Sequence, residues 1–136
     1  MPANVEFLDS NVLLYLASAD AIKASRAEEL VAAGGVISVQ VLNEVANVLR
    51  RKLSMSWSET SAFMSSIRAL LTTVQPLTAA THDYGLWLAE RYSLSVYDGL
   101  LVASALEGRC SVLWSEDMHD GLLVEKMLTI KNPFRA

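Results

Sequence analysis

Apolar residues fall along this chain in short blocks of two kinds. Residues 5–8, 36–39 and 112–114 are brief runs with little polar alternation, the pattern of strands buried on both faces of a parallel sheet. Between them lie longer stretches with helical spacing. Asp20 is placed to cap a helix over residues 21–33, which Gly34 and Gly35 stop. A second helix is predicted over residues 41–53, with Val41, Val45, Val48 and Leu49 on one face. Ser56 and Glu59 form the S-x-x-E box of a third, running through Leu71, with Trp57, Phe63, Met64, Ile67 and Leu70 as its apolar stripe. Residues 72–77 read as a short strand ended by Pro76. Thr78 caps a helix to about Tyr92. Residues 98–107 form a helix closed by Gly108, and residues 127–130 a final strand before Asn132-Pro133. Strands alternating with helices predict an α/β fold of three layers, with a central, mostly parallel sheet of about five strands flanked by helices. The 136 residues carry no repeat, linker or low-complexity tract, so a single domain over 1–136 is expected.

Composition narrows the class. The chain is 52% hydrophobic, which excludes a disordered protein. The lone Cys110 rules out an internal disulfide, suits a reducing cytoplasm and reads as a small buried hydrophobe. The apolar run at residues 12–17 is not expected to be a signal sequence, because Glu6 and Asp9 precede it where basic residues belong. No stretch approaches the ~20 apolar residues of a spanning helix. A soluble, cytoplasmic protein is expected. The net charge of −4 argues against a charge-driven DNA binder but leaves room for an acidic site with a basic rim.

The chemistry lies in four acids. Asp9 follows the first strand, Glu44 follows the second, Asp98 opens an apolar helix and Asp117 follows the strand at 112–114. Ligands of open α/β sheets bind at the carboxyl ends of the strands, and carboxylates gathered there repel unless protons or a hard cation intervene. A divalent metal and phosphate chemistry are therefore expected. Magnesium takes few carboxylates and keeps several waters, so Asp9 and Asp98 are the expected direct ligands. Asp117 adds a direct or water-mediated contact, and Glu44 binds a second metal or orients an attacking water. Each acid also has a plain structural use. Asp9 can cap the turn with Ser10 and Asn11, Asp98 can cap its helix, and Glu44 and Asp117 can be solvated charges.

The segments around these acids resemble the PIN-domain ribonucleases, especially the VapC-type toxins of bacterial toxin–antitoxin pairs. The resemblance rests on Phe7-Leu8-Asp9-Ser10-Asn11-Val12-Leu13-Leu14-Tyr15 and Ser38-Val39-Gln40-Val41-Leu42-Asn43-Glu44. It continues with Tyr97-Asp98-Gly99-Leu100-Leu101-Val102-Ala103-Ser104-Ala105, Leu113-Trp114-Ser115-Glu116-Asp117-Met118 and Ile130-Lys131-Asn132-Pro133-Phe134. It implies a PIN-like fold and a Mg2+- or Mn2+-dependent endoribonuclease using Asp9, Glu44, Asp98 and Asp117. It also implies a homodimer and a cognate antitoxin whose tail occupies the acidic groove. The family usually has Thr where this chain has Ser10, which keeps the hydroxyl. Glu116 and Asp120 compete with Asp117 for the fourth place.

An RNA substrate calls for cations beside the acids. Arg51 lies two helical turns, ~10.5 Å, beyond Glu44 and joins Arg50 and Lys52, which also suit a helix C-terminus. Lys23 and Arg26 are a second set, on what is otherwise a solvated helix face. Tyr15, Trp57, Trp87 and Trp114 are stacking candidates that equally fit a core. His82 and His119 lack zinc-ligand spacing. Rival readings are a solitary RNA-processing PIN protein, a non-catalytic PIN module and a receiver-like signalling domain. The receiver needs paired acids after the first strand, where this chain has Ser10-Asn11.

Overall fold

A computed structural model describes residues 5–135, leaving residues 1–4 and 136 outside. Six strands form one sheet: β1 (Glu6–Leu8), β2 (Val36–Ser38), β3 (Thr73–Gln75), β4 (Val112–Trp114), β5 (Leu123–Val124) and β6 (Leu128–Lys131). Their order is β3-β2-β1-β4-β6-β5. All neighbours are parallel except the β5–β6 pair. The helices are α1 (Ser10–Leu14), extended by a 3-10 turn at Tyr15–Ala17, α2 (Ala21–Ala32), α3 (Val39–Arg51), α4 (Trp57–Leu70), α5 (Ala79–Tyr92) and α6 (Val96–Glu107).

The topology fixes where a site can form. From β1 through β2 to β3 the chain steps in one direction, then reverses past β1 to β4. Crossovers between parallel strands are right-handed, so the reversal puts α5 and α6 on the face opposite α1–α4. The crevice at such a switch point is the ligand site of open parallel sheets. Here it lies between the carboxyl ends of β1 and β4, which pair Leu8 with Trp114. Both strands are held from both faces, and Phe7, Leu8, Leu113 and Ile130 of the sheet are fully buried.

The main elements match expectation, and the departures have local causes. Ser38 Oγ accepts from the Val41 amide at 3.3 Å, so α3 begins at Val39, two residues earlier than periodicity indicates. Ser95 Oγ accepts from the Asp98 amide at 3.1 Å, so Ser95 and not Asp98 caps α6. Helix α1, unpredicted, is five residues long and leans on its cap and on fully buried Val12 and Leu13. Strand β5, also unpredicted, turns into β6 through Glu125 and Lys126, both at positive φ (50° and 57°). Such turns usually announce themselves with Asn-Gly, which is missing here. The stripe of α4 holds at buried Ile67 and partly buried Phe63 and Met64, but Trp57 and Leu70 are exposed, at 70% and 59%. Cys110 is buried two residues before β4.

Helices α5 and α6 pack at glycines. A Cβ on Gly99 would strike the Gly85 carbonyl oxygen, and one on Gly85 would meet Leu100 Cδ2 at 2.6 Å. This close approach seats the first turn of α6, which carries Asp98. Gly99→Ala should destabilise the protein by about 1–3 kcal/mol through overpacking, measured by urea unfolding. A variant stabilised by the ~1 kcal/mol that helix propensity alone favours would contradict the contact.

Candidate metal centre

Asp9 is the first residue past β1, and its amide donates to the Trp114 carbonyl at 3.0 Å, continuing the β1–β4 ladder. It is not the last strand residue but the N-cap of α1, accepting from the Ser10 amide at 2.6 Å. The capping use and the crevice use of Asp9 therefore coincide. Its side chain is 6% exposed. Ser115, the residue after β4, is fully buried and donates its hydroxyl to Asp9 Oδ2 at 2.7 Å.

The other acids reach the same crevice from different elements. Glu44 stands on α3, where Ser10 Oγ donates to its Oε2 at 2.8 Å and Gln40 Nε2 to its Oε1 at 2.8 Å. Asp98 is half-buried in the first turn of α6. Asp117 follows β4 on an exposed loop, and its Oδ2 accepts from Asn11 Nδ2 at 3.3 Å. The same Asn11 amide lies 3.3 Å from both Asp9 Oδ2 and Ser115 Oγ, and Asn11 Oδ1 accepts from the Glu116 amide at 3.2 Å. Asn11 thus braces the loop after β4 against α1.

The acids share one field. Burial pushes the Asp9 carboxyl up from 3.8 to about 6, against the hydrogen bonds from Ser115 and Ser10, and the charges of Glu44 and Asp98 push the same way. Asp98 is also raised, first by burial, then by Glu44 and Asp117, with Ser95 opposing. Among the described residues, no three acidic, His or Cys side chains stand close enough to chelate a single ion directly. The four acids are linked by charge, Asp9 with Glu44 and Asp98 and Asp98 with Glu44 and Asp117, without closing a coordination shell. An all-oxygen donor set of this kind fits a hard cation that keeps much of its water.

The two competitors for the fourth place are engaged elsewhere. Glu116 pairs with Lys23 and accepts from Tyr15 Oη at 2.6 Å. Burial opposes its ionisation, yet the bonds from Lys23 and Tyr15 hold it below the usual carboxylate range. Asp120 accepts from the Asn132 amide at 2.8 Å and faces Arg135. Lys23 is therefore a partner of Glu116, and Arg26 donates to the Pro133 carbonyl at 3.0 Å. Arg50 donates to the Met55 carbonyl at 2.6 Å and lies over the Trp57 ring. Arg51 and Lys52 are exposed and line a small hollow with Asn47 and Val48. An apolar cleft of about 400 Å³ opens beside the acids, walled by Leu14, Val48 and Leu53 and ending at Asn11 and Glu116.

Sequence reasoning gave no role to Asn11, Ser115 or Gln40. Each carried a positional signal. Asn11 lies two residues from Asp9, Ser115 directly follows the strand that pairs with β1, and Gln40 precedes Glu44 by one helical turn.

Asp9 makes stability depend on pH. Its folded value of about 6 exceeds the ordinary 3.8, so its contribution is complete below 3.8 and is lost as pH rises through about 6. The full loss is on the order of 3 kcal/mol. Relative to wild type in chelator, Asp9→Asn should therefore gain stability between about pH 4 and 7, followed by urea unfolding. A wild-type-to-variant difference that stays flat across that range would refute the buried charge.

A family model described as the PIN domain matches residues 7–119. No curated protein matches the chain. Among solved structures, a toxin–antitoxin complex from Klebsiella pneumoniae is similar with a TM-score of 0.69 at 18% identity, covering 96% of this chain and 99% of that one. VapBC2 from Rickettsia felis, bound to a DNA fragment from its promoter, gives 0.68 at 18% identity, with 94% and 98% covered. VapC20 of Mycobacterium tuberculosis, a toxin that cleaves the sarcin–ricin loop, gives 0.63 at 20% identity, with 79% and 86% covered. The parallel sheet, the switch-point crevice and a family match over most of the chain agree: this protein belongs to the PIN domain family.

Proposed function

We propose that this chain is a magnesium- or manganese-dependent endoribonuclease, acting in the cytoplasm as the toxin of a toxin–antitoxin pair. The observation that carries the reading is the mutual charge coupling of Asp9, Glu44, Asp98 and Asp117, where burial and repulsion raise Asp9 and Asp98. Like-charged groups held together at the expense of their own ionisation mark a site built for a positive partner.

In this reading Asp9 and Asp98 would hold the ion, and Asp117 would add a direct or water-mediated contact. When bound, the metal supplies Lewis-acid activation of the phosphodiester. Glu44, aimed by Ser10 and Gln40, orients the attacking water and receives its proton. Ser115 and Asn11 keep Asp9 and Asp117 facing each other. Arg51 and Lys52, two turns along α3 from Glu44, hold backbone phosphates of RNA leaving the crevice.

The toxin assignment draws support from neighbours described as toxins or toxin–antitoxin complexes. A cognate antitoxin covering the acidic groove and a homodimer belong to the same proposal. A solitary RNA-processing nuclease would use the same site. An adjacent short reading frame whose product binds this chain and blocks cleavage distinguishes the two.

Asp98→Asn should lower cleavage of single-stranded or looped RNA by more than about 10²-fold while leaving the far-UV spectrum unchanged. Wild-type rates from that variant would remove Asp98 from the site. Asp120→Asn, by contrast, should cleave within about threefold of wild type, and Glu116→Gln, which reaches Asp117 only through the loop it anchors, should lose less than about tenfold. A loss from either as deep as that of Asp98→Asn would reassign the fourth acid.

A further inference from the structure

Gln40 is 6% exposed in the second position of α3, an unusual place for a polar side chain. Its Nε2 donates in two directions, to Glu44 Oε1 at 2.8 Å and to the backbone carbonyl of Tyr97 at 3.0 Å. The carbonyl belongs to the first turn of α6, immediately before Asp98. One amide therefore ties the helix carrying Glu44 to the helix carrying Asp98, across the crevice. Both partners are pure acceptors, so the nitrogen must face them and the amide has one workable orientation. Its Oε1 is left buried with no protein donor among the described residues. Ser10 occupies the other oxygen of Glu44, so both carboxylate oxygens are directed by donors from separate elements.

We propose that Gln40 is a positioning residue of the reaction, fixing the Glu44 carboxylate and its separation from Asp98. The inference rests on the nuclease reading of the crevice. Its closest replacements do not serve the same two bonds. Glutamate would set a third carboxylate oxygen against two acceptors, and asparagine is one methylene short. Methionine and leucine fill comparable space without a donor. Because Gln40 acts through Glu44 and not on substrate, its loss should lower kcat more than it raises KM. The effect should also vanish when Glu44 has lost its charge.

The test is a double-mutant cycle of Gln40→Met and Glu44→Gln, reading RNA cleavage and the shift in melting temperature on adding Mn2+. Melts without metal check that each variant folds, and Gln40→Leu serves if methionine does not. We expect Gln40→Met to lower kcat about tenfold with KM within twofold and to shrink the Mn2+-induced shift. In the Glu44→Gln background it should do neither. Equal losses in both backgrounds would make Gln40 a packing residue only, and a fully active Gln40→Met would end the proposal outright. Glu44→Gln cleaving like wild type would instead bring down the reading of the crevice, and with it the role of Gln40.

Discussion

A single carboxylate, that of Asp9, sits where the sheet reverses direction, and much of the molecule is arranged around keeping it there. The ladder between β1 and β4 delivers Asp9 and Ser115 side by side, and the start of α1 wraps its own amide onto the acid. Burial alone makes ionisation unfavourable, and Glu44 and Asp98 deepen the cost. The fold tolerates this because short donors surround the crevice. Hydroxyls of Ser10 and Ser115 and the amides of Asn11 and Gln40 supply partial positive charge without neutralising the site. What they leave unbalanced is the negative charge a cation would meet.

The same economy explains why other charges near the crevice are silent. Lys23 is the obvious local cation, yet it is committed to Glu116 and lies over the rings of Tyr15 and Phe134. That cluster pins the loop after β4 to α2 and the C-terminal segment, with Asn132 Nδ2 adding a bond to the Glu116 carbonyl. Asp117 thereby projects from an anchored loop. Glycine packing of α5 on α6 does for Asp98 what this cluster does for Asp117. Asp98 and Asp117 are thus positioned by packing and pairing elsewhere in the fold.

Much of this was legible in sequence, and the reasons it was not all legible are physical. Unalternating apolar blocks exposed β1, β2 and β4, because strands buried on both faces need no polar positions. A capping box placed α4 and a single cap placed α5, where Ser56 and Thr78 cap as expected. Helix α1 was invisible because five residues cannot display a 3.6-residue period, and β5 because its turn lacks the residues that tolerate positive φ best. Asp9, Glu44, Asp98 and Asp117 stood out by following strands or opening helices. Asp117, Glu116 and Asp120 lie within five residues of one another, and only coordinates show how their partners differ. The bracing contacts of Asn11, Ser115 and Gln40 were not legible, because they join elements distant in the chain.

Anomalous diffraction from a crystal soaked in Mn2+ tests the central claim most directly. A single strong peak is predicted in the crevice, at about 2.1 Å from oxygens of Asp9 and Asp98, with water completing its shell. Glu44 should then lie beyond it, bonded to those waters. A peak on Glu116 or Asp120, or an empty crevice at millimolar Mn2+, would contradict the account.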